Sequence, residues 1–263
     1  MDARQGSLFV GVEPKPAAGR PRETTYIYET KGRAREYREL ACNLYTGCDH
    51  RCTYCYAPDV LRRDRQQFDE SQPRMDILRK LEKDAGTREE MGETRQILFC
   101  FACDPYQALD VRYAITRSAI ETCHRHSLPV CILTKGGSRA LRDLDLFTPR
   151  DAFASTLTCV GDLESQKWEP GAALPQDRID TLAAFHDKGI PTWVSLEPVL
   201  DPDWTFELIR RSHEVVDEYK VGRLNYHPHA NQIDWGRFTR TVVEVLQRFG
   251  SRYYLKEDLR IYA

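Results

Sequence analysis

The sequence predicts a parallel α/β protein, and two observations support that prediction. Six apolar or β-branched runs alternate along the chain with six segments in which apolar residues recur at helical spacing. The runs are apolar almost throughout, as expected of strands that are buried on both faces of a parallel sheet. Functional groups of such proteins collect at the carboxyl ends of the strands, so the loops that follow the runs are the places to search.

The predicted strands and helices alternate in chain order. The strands are Tyr37–Tyr45, Gln96–Ala102, Pro129–Thr134, Ala152–Thr158, Pro191–Leu196 and Val215–Val221. The helices are Arg74–Asp84, Tyr113–His126, Arg139–Phe147, Gln176–Lys188, Trp204–Ser212 and Gln232–Phe249, and Gly189 and Gly250 stop the fourth and the sixth. Arg252–Leu255 predicts one more strand or a tail over the base of the sheet. Periodicity alone is compatible with an open doubly wound sheet, a closed barrel or a partial barrel.

Length and composition favour one compact domain. The chain has 263 residues, and an N-terminal arm over residues 1–36, interrupted by proline and glycine, precedes a core domain over residues 37–263 that ends in a helix and a tail. Lys and Arg total 38 against 40 for Asp and Glu, a net charge of −2, so the chain carries no global positive field for nucleic acid. No apolar stretch matches a signal peptide or a membrane span, and we expect a soluble, cytoplasmic monomer.

Three of the nine cysteines lie close together in the sequence GCDHRCTYCYAP, Gly47–Pro58. Cys48, Cys52 and Cys55 follow the first predicted strand in a mostly polar loop, which favours metal binding over buried free thiols. Tetrahedral zinc could take the three thiolates with His50, although structural zinc sites usually draw on two separate ligand pairs. An iron–sulfur cluster held by three cysteines would instead leave one iron open.

The spacing C-x3-C-x2-C, with Tyr54 just before the last cysteine, resembles the signature of the radical S-adenosylmethionine (SAM) superfamily. The resemblance implies a partial (β/α)6 TIM-like barrel, the radical SAM core, in which Cys48, Cys52 and Cys55 hold a [4Fe-4S] cluster. The open iron would bind SAM, and reductive cleavage would yield a 5′-deoxyadenosyl radical. It also implies an external electron donor such as flavodoxin or ferredoxin.

Two longer motifs resemble the spore photoproduct lyase-like branch of that superfamily. They are NLYTGCDHRCTYCYAPD, which begins at Asn43, and CDPYQALD, Cys103–Asp110. The resemblance makes Asp104 an acceptor for the methionyl amino group of SAM and Lys135 a partner for its carboxylate. Thr156, with Thr158 on the same strand face, and Glu197 are predicted to contact ribose, carboxylate or substrate. Ordinary roles are the alternatives: a turn cap for Asp104, a solvated loop lysine for Lys135 and core hydroxyls for the threonines.

The hydrogen-atom donor is where the resemblance fails. Spore photoproduct lyase uses a cysteine late in its chain, whereas this sequence has no cysteine after Cys159. Cys103 and Tyr226, both near predicted strand ends, are the candidate donors, with Cys159 as a further possibility. Strand spacing predicts that Cys100 and Cys103 point to opposite faces, which argues against a joint site.

The remaining chemistry-bearing residues give weaker signals. Asn225, Tyr226 and His227 follow the sixth predicted strand, and two histidines without a carboxylate neighbour indicate a metal site only faintly. Lys256 is predicted to be a surface or cap residue. Isolated cysteines read as buried thiols: Cys42, Cys123, Cys131 and Cys159.

These observations predict a radical SAM enzyme with a lyase-like or modifying reaction. A nucleic-acid or nucleotide-like substrate, such as DNA, is slightly favoured, and a peptide or small metabolite is the alternative. The neutral net charge speaks against a duplex, although Arg62, Arg63, Arg65, Arg210 and Arg211 supply local basic groups that could equally be solvated. A non-catalytic zinc-binding module is the alternative from another class.

Overall fold

The computed structural model describes residues 25–263, and the first 24 residues of the predicted arm lie outside this range. The strands are β1 (Tyr28–Glu29), β2 (Leu40–Cys42), β3 (Tyr45–Thr46), β4 (Gln72–Pro73), β5 (Ile97–Phe99), β6 (Val130–Thr134), β7 (Ala152–Thr156), β8 (Thr192–Val199), β9 (Glu218–Arg223) and β10 (Arg252–Leu255). The α-helices are α1 (Ala57–Leu61), α2 (Arg65–Asp69), α3 (Ile77–Glu90), α4 (Ala108–Tyr113), α5 (Ile115–Arg125), α6 (Asp162–Trp168), α7 (Pro175–Asp187), α8 (Pro202–Ser212), α9 (Trp235–Arg248) and α10 (Glu257–Arg260). Four 3-10 helices cover Gly32–Glu36, Gly137–Leu146, His213–Val215 and Pro228–Gln232.

Eight strands form one sheet in the order β1-β2-β5-β6-β7-β8-β9-β10. All neighbouring pairs are parallel except β1 and β2, which are antiparallel. Within the described residues β1 and β10 do not pair, so the sheet stays open and forms a partial barrel. Its six central strands, from β2 to β9, are the six predicted from sequence.

The strands are buried because they are apolar on both faces. Every residue of β2, β5 and β7 is buried, and all but one residue of β6. One side of the sheet packs into a large core with the helices, in which Phe153 and Phe185 stack with ring centroids 3.8 Å apart. The other face carries a smaller cluster that includes Tyr37, Leu98 and Trp193.

The predicted helices are found with shifted boundaries. Helix α3 runs to Glu90, six residues beyond its predicted end, and the predicted helix Arg139–Phe147 is a 3-10 helix over Gly137–Leu146. The short helices α1, α2, α4 and α6 had no periodic signal, because five to seven residues are too few to show one. Arg252–Leu255 is a strand, which settles the alternative left open by the sequence.

The described part of the predicted arm is attached to the sheet. Tyr28 and Glu29 pair with Ala41 and Leu40, and the 3-10 helix Gly32–Glu36 follows. The packed core therefore includes Ile27, which lies upstream of the boundary predicted at residue 36. Among the described residues, no helix is long and apolar enough to cross a membrane.

Candidate active site

A cavity of about 350 Å³ opens at the carboxyl ends of the parallel strands. Its wall is built from the loops after β2, β5, β6 and β9 and from the ends of β7 and β8, as parallel sheets place functional groups. The structure brings nine of the ten predicted site residues to this cavity: Cys48, Cys52, Tyr54, Cys55, Cys103, Asp104, Lys135, Thr156 and Glu197. Residues 130 or more positions apart in the chain thus meet in one site.

Cys48, Cys52 and Cys55 line the cavity as free thiols. In the described part of the chain, no three His, Cys, Asp or Glu side chains are grouped closely enough to hold a single metal ion. Three thiols that line a common cavity are a ligand set that suits an iron–sulfur cluster, in which each cysteine would bind a different iron.

Burial disfavours the thiolate form of the candidate ligands. It raises the pKa of the Cys52 thiol to about 12, and with the nearby Asp104 it holds the pKa of Cys48 well above the ordinary value. Because thiolates are the metal ligands, binding of iron here has to be coupled to release of these protons.

The cluster loop, residues 48–55, is held by backbone contacts with the segment that follows α6. Thr53 donates its N–H to the Trp168 carbonyl at 2.9 Å, and the Gly171 N–H donates to the His50 carbonyl at 2.9 Å. A side chain at residue 171 has no room, because a Cβ there would lie 2.4 Å from the Asp49 carbonyl oxygen. Gly171 therefore permits the close approach of two loops.

Side chains fix the same loop from two further directions. The Arg65 guanidinium donates to the carbonyls of Cys52 and Cys55. The Asp49 carboxylate accepts from the N–H groups of Ala108 and Leu109 at the start of α4, at 3.1 and 2.9 Å. Arg65, which the sequence offered as a surface basic group, is thus a support for the thiol-bearing loop.

His50 and Asp104 form a buried pair beneath the loop. The His50 Nδ1 lies 3.4 Å from an Asp104 oxygen, and its Nε2 lies 3.3 Å from the Arg139 guanidinium. Burial lowers the pKa of His50 to about 4. Both ring nitrogens face protein groups, which agrees with the interpretation of His50 as a structural loop residue and not as a fourth metal ligand.

The Asp104 carboxylate already has four partners. It accepts from the Tyr106 N–H at 2.8 Å, the Thr134 hydroxyl at 2.6 Å and the Lys135 N–H at 2.7 Å, and it faces His50. Burial opposes its charge, yet His50 and these donors hold the pKa of Asp104 below its ordinary value. The turn-cap role is therefore realised. A contact of Asp104 with an amino group stays a prediction.

Tyr54 is anchored by a buried ion pair that the sequence did not reveal. Its hydroxyl donates to Glu169, whose other oxygen lies 2.6 Å from the Arg178 guanidinium. Both charged residues are 1% exposed. Arg178 also donates to the carbonyls of Thr156 and Ala173, at 2.9 and 2.7 Å, so the pair ties the end of β7 to the cluster loop.

Lys135 lies beside this pair at the cavity wall. Its ammonium is 5.8 Å from the centre of the Tyr54 ring. Burial disfavours its charge, but the nearby Cys52 and Glu169 outweigh that effect and raise the pKa of Lys135. Lys135 is therefore a cation at neutral pH that can face an anionic ligand group in the cavity.

Glu197 is part of a second polar network at the cavity wall. It accepts from the Tyr37 hydroxyl and pairs with the Lys256 ammonium, which lies 3.6 Å from the Tyr37 ring centre. Gly222 on β9 makes room, because a Cβ there would lie 2.7 and 2.8 Å from the side chains of Glu197 and Lys256. From sequence, Lys256 is predicted to be a surface or cap residue. It does occupy the cap position before α10, but it is only 2% exposed, so the prediction of a surface residue is wrong.

Cys100 and Cys103 do not point to opposite faces, and that prediction is wrong. Strand β5 ends at Phe99, so both cysteines lie in the turn that follows, where the alternation of a strand no longer applies. Both side chains pack against the same core cluster, and both residues line the cavity.

The other predicted residues lie at or beyond the cavity mouth. Tyr226 is 84% exposed and does not line the cavity, but its ring centre lies 6.4 Å from that of Tyr56, which does. Asn225 lines the cavity and donates to Asp258 at 2.7 Å. Thr158 is buried behind the wall. His229 contacts the Leu200 carbonyl at 2.8 Å, and neither it nor His227 belongs to a metal-sized cluster among the described residues.

Other predictions concern residues away from the cavity. Cys42, Cys123, Cys131 and Cys159 are buried free thiols, as predicted. Arg210 and Arg211 both pair with Glu207 at 2.7 Å, so they form part of an ion-pair cluster on α8. Sequence reasoning missed Glu169, Arg178 and Tyr37, because Glu169 follows a short helix without a periodic signal and no spacing links it to Arg178.

Fold and site together define an α/β enzyme with a three-cysteine site at the carboxyl edge of a partial barrel. The sequence profile of the radical SAM superfamily matches residues 42–216, which include the cysteine loop and the elements from β3 to α8. The chain belongs to the radical SAM superfamily.

Curated relatives cover the same part of the chain. An uncharacterised protein of Mycobacterium tuberculosis is 29% identical over 171 residues, 60% of this chain and 48% of the relative. An uncharacterised protein of Methanocaldococcus jannaschii is 25% identical over 164 residues, 61% of this chain and 60% of the relative. The matched region thus spans about half to three fifths of the length of these relatives.

Solved structures with the same fold include two radical SAM enzymes. A spore photoproduct lyase mutant with bound AdoMet and dinucleoside spore photoproduct superposes with a TM-score of 0.68 at 15% identity, over 89% of this chain and 80% of that one. SuiB of Streptococcus suis bound to S-adenosylmethionine gives 0.61 at 13% identity, over 82% of this chain and 49% of that one. At these identities the likeness concerns the fold.

Proposed function

We propose that this protein is a radical SAM enzyme that abstracts a hydrogen atom from a nucleic-acid or nucleotide-like substrate. The observation that carries the proposal is the cavity itself, in which Cys48, Cys52 and Cys55 share one wall with groups able to bind SAM. When bound, a [4Fe-4S] cluster supplies the electron that cleaves SAM to a 5′-deoxyadenosyl radical.

The chain's own residues would orient that cofactor. Cys48, Cys52 and Cys55 would hold three irons of the cluster, and the Lys135 cation beside Tyr54 would face the methionyl carboxylate. Thr156 and Glu197 also line the cavity and would offer hydroxyl and carboxylate oxygens to ribose. Tyr54 does not move freely, because Glu169 holds its hydroxyl.

The mouth of the cavity supports the choice of substrate class. Tyr56 and Tyr226 present two exposed rings 6.4 Å apart, and aromatic faces of this kind stack on nucleobases. Arg62 and Arg63 are exposed on the loop after α1 and can meet phosphate. Because the chain has a net charge of −2, a single-stranded segment or a nucleotide is a better substrate than a duplex.

Cys103 and Tyr226 are the proposed hydrogen-atom donors. An external protein such as flavodoxin or ferredoxin is the proposed electron source.

Anaerobic reconstitution with iron and sulfide tests the cofactor assignment. We expect about four irons per chain, a thiolate-to-iron charge-transfer band, and 5′-deoxyadenosine when SAM and dithionite are added. Cys52→Ala should abolish all three, while Cys131→Ala, which removes a buried thiol in β6, should abolish none. Stoichiometric zinc without iron would overturn the assignment.

Deuterium transfer tests the substrate. Deuterated single-stranded oligonucleotides, nucleotides and peptides are offered separately, and deuterium is sought in 5′-deoxyadenosine. The proposal is supported if deuterium is transferred from a nucleic-acid probe and if the amount transferred is lower in the Tyr226→Ala variant. Transfer from peptides alone favours the alternative, in line with the fold shared with SuiB, which has been solved bound to its precursor peptide SuiA.

A further inference from the structure

Two thiols outside the cluster loop meet in the same cavity. Cys100 and Cys103 stand in the turn after β5, both line the cavity and pack against the same core cluster, and neither is in a disulfide. The Asn43 side chain braces this turn by accepting from the N–H groups of Phe101 and Ala102, both at 2.8 Å. One fixed turn therefore carries both thiols at the cavity wall.

The two cysteines differ in access. Cys100 is 4% exposed, and its sulfur accepts from the Leu44 N–H at 3.3 Å. Cys103 is partly exposed to the cavity, with its sulfur 4.0 Å from the Asn43 side-chain oxygen. One accessible thiol beside one covered thiol is the arrangement in which a C-x-x-C pair exchanges with an outside disulfide.

We propose that Cys100 and Cys103 form a redox-active dithiol that exchanges with small disulfides entering the cavity. The Cys103 thiolate attacks the small disulfide, forms a mixed disulfide and releases one small thiolate. Cys100 then gives up its proton, and its thiolate attacks the Cys103 sulfur and releases the second small thiolate. The dithiol is oxidised by two electrons and the small disulfide is reduced to two thiols, which take up the two protons.

Closure changes what the cavity can do. Cys103 loses its S–H bond, so it can no longer supply a hydrogen atom to a substrate radical. A reductant of the thiol class reopens the pair. The proposal does not depend on radical chemistry, because it concerns exchange between protein and small thiols alone.

Peptide mass measurement provides the test. Trypsin cleaves after Arg95 and Arg112, and residues 96–112 contain Cys100 and Cys103 and no other cysteine. The anaerobic, iron-loaded full chain is equilibrated in glutathione buffers of rising disulfide content, quenched with N-ethylmaleimide and digested. We expect this peptide to become lighter by two hydrogen atoms and to lose both maleimide labels, and to regain them on reduction, while the iron content stays constant.

Three variants separate the two thiols. Cys100→Ser should accumulate a glutathione adduct on Cys103, because the accessible thiol still attacks but has no partner. Cys103→Ser should form neither adduct nor disulfide, since Cys100 is covered. Cys131→Ala should behave as the wild type. These measurements require no SAM cleavage. A protein that makes no 5′-deoxyadenosine, and so fails the test of the proposed function, can therefore still show the exchange of Cys100 and Cys103.

If a variant fails to fold, the peptide of residues 96–112 from the wild-type protein is sufficient to test the proposal. A peptide that stays fully labelled at both cysteines throughout the glutathione series overturns it. So does stable glutathionylation of Cys103 without an internal disulfide, because that result means that Cys100 does not attack.

Discussion

At the scale of single residues, the Glu169–Arg178 pair carries the largest expected effect on stability. Both side chains are buried, and removing the negative partner leaves a buried guanidinium without its counter-charge. We expect Glu169→Gln to lower the free energy of unfolding by about 3 kcal/mol. Urea unfolding with a matched exposed control, Glu244→Gln on α9, measures it. Equal midpoints for the two variants would contradict the role given to Glu169.

The contact between Lys256 and Glu197 gives a second prediction at this scale. Lys256→Met and Glu197→Gln each remove one charge of a pair that is mostly buried. In a double-mutant cycle we expect a coupling free energy of about 1 to 3 kcal/mol, because the residues share one network with Tyr37. The exposed pair Glu207–Arg210 on α8 is the control and should show a much smaller coupling. An additive Lys256–Glu197 cycle would refute the network.

At the scale of elements, the approach of the loop after α6 to the cluster loop depends on Gly171. Gly171→Ala places a methyl group 2.4 Å from the Asp49 carbonyl oxygen and 2.8 Å from the His50 Cα, both backbone atoms that cannot swing away. We expect loss of most of the iron bound on reconstitution. Gly86→Ala, inside α3, is the control. Its methyl group would lie at an ordinary contact distance of 3.6 Å from the His126 ring, so the iron content should be unchanged. Full iron content in Gly171→Ala would disprove the steric argument.

The packing of α3 against α5 predicts a pH dependence. His126, at the end of α5, lies 2.9 Å from Glu82 and 2.8 Å from Glu89 of α3, and its hydrogen bonds to Glu89 and Glu82 raise the pKa of His126 above its ordinary value of 6.5. A raised folded pKa stabilises the protein fully below about pH 6.5, and this contribution is lost as pH rises through the folded pKa.

The corresponding measurement compares wild type with His126→Gln. Because the ion pairs are near the surface, we expect the wild type to be more stable by about 0.5 kcal/mol at pH 5.5 and the difference to fade at alkaline pH. Denaturant midpoints of both proteins across that range give the difference. If the stability difference between the wild type and His126→Gln grew with rising pH, the predicted direction of the pH dependence would be wrong.

The sequence predicts the sheet better than it predicts the site. The six central strands were predictable because burial on both faces leaves near-continuous apolar runs, and the cysteine loop because its spacing is distinctive. Glu169 and Arg178 were not, since two charged residues nine positions apart give no sign that they meet in the interior. The pair Cys100 and Cys103 was misjudged because a strand boundary was placed three residues too late, which reverses the inferred side-chain directions.

At the scale of the whole molecule, binding of SAM should stabilise the cluster-loaded protein. A ligand at 100 times its dissociation constant adds about 2.7 kcal/mol to the free energy of unfolding, enough to raise Tm by several degrees. We expect this shift in thermal unfolding of reconstituted protein and none in Cys52→Ala. An equal shift in both proteins would show that SAM binds elsewhere.

The open sheet is latched between its two ends by contacts that span almost the whole chain. Glu36 accepts from the Glu257 N–H at 2.8 Å and from the Tyr254 hydroxyl at 3.1 Å, and Lys220 donates to the Glu36 carbonyl at 2.7 Å. Tyr254 and Glu257 are translated well after the cysteine loop. Pairings of such high sequence separation also form late in folding. The nascent chain therefore presents Cys48, Cys52 and Cys55 to solvent before the wall around them is complete.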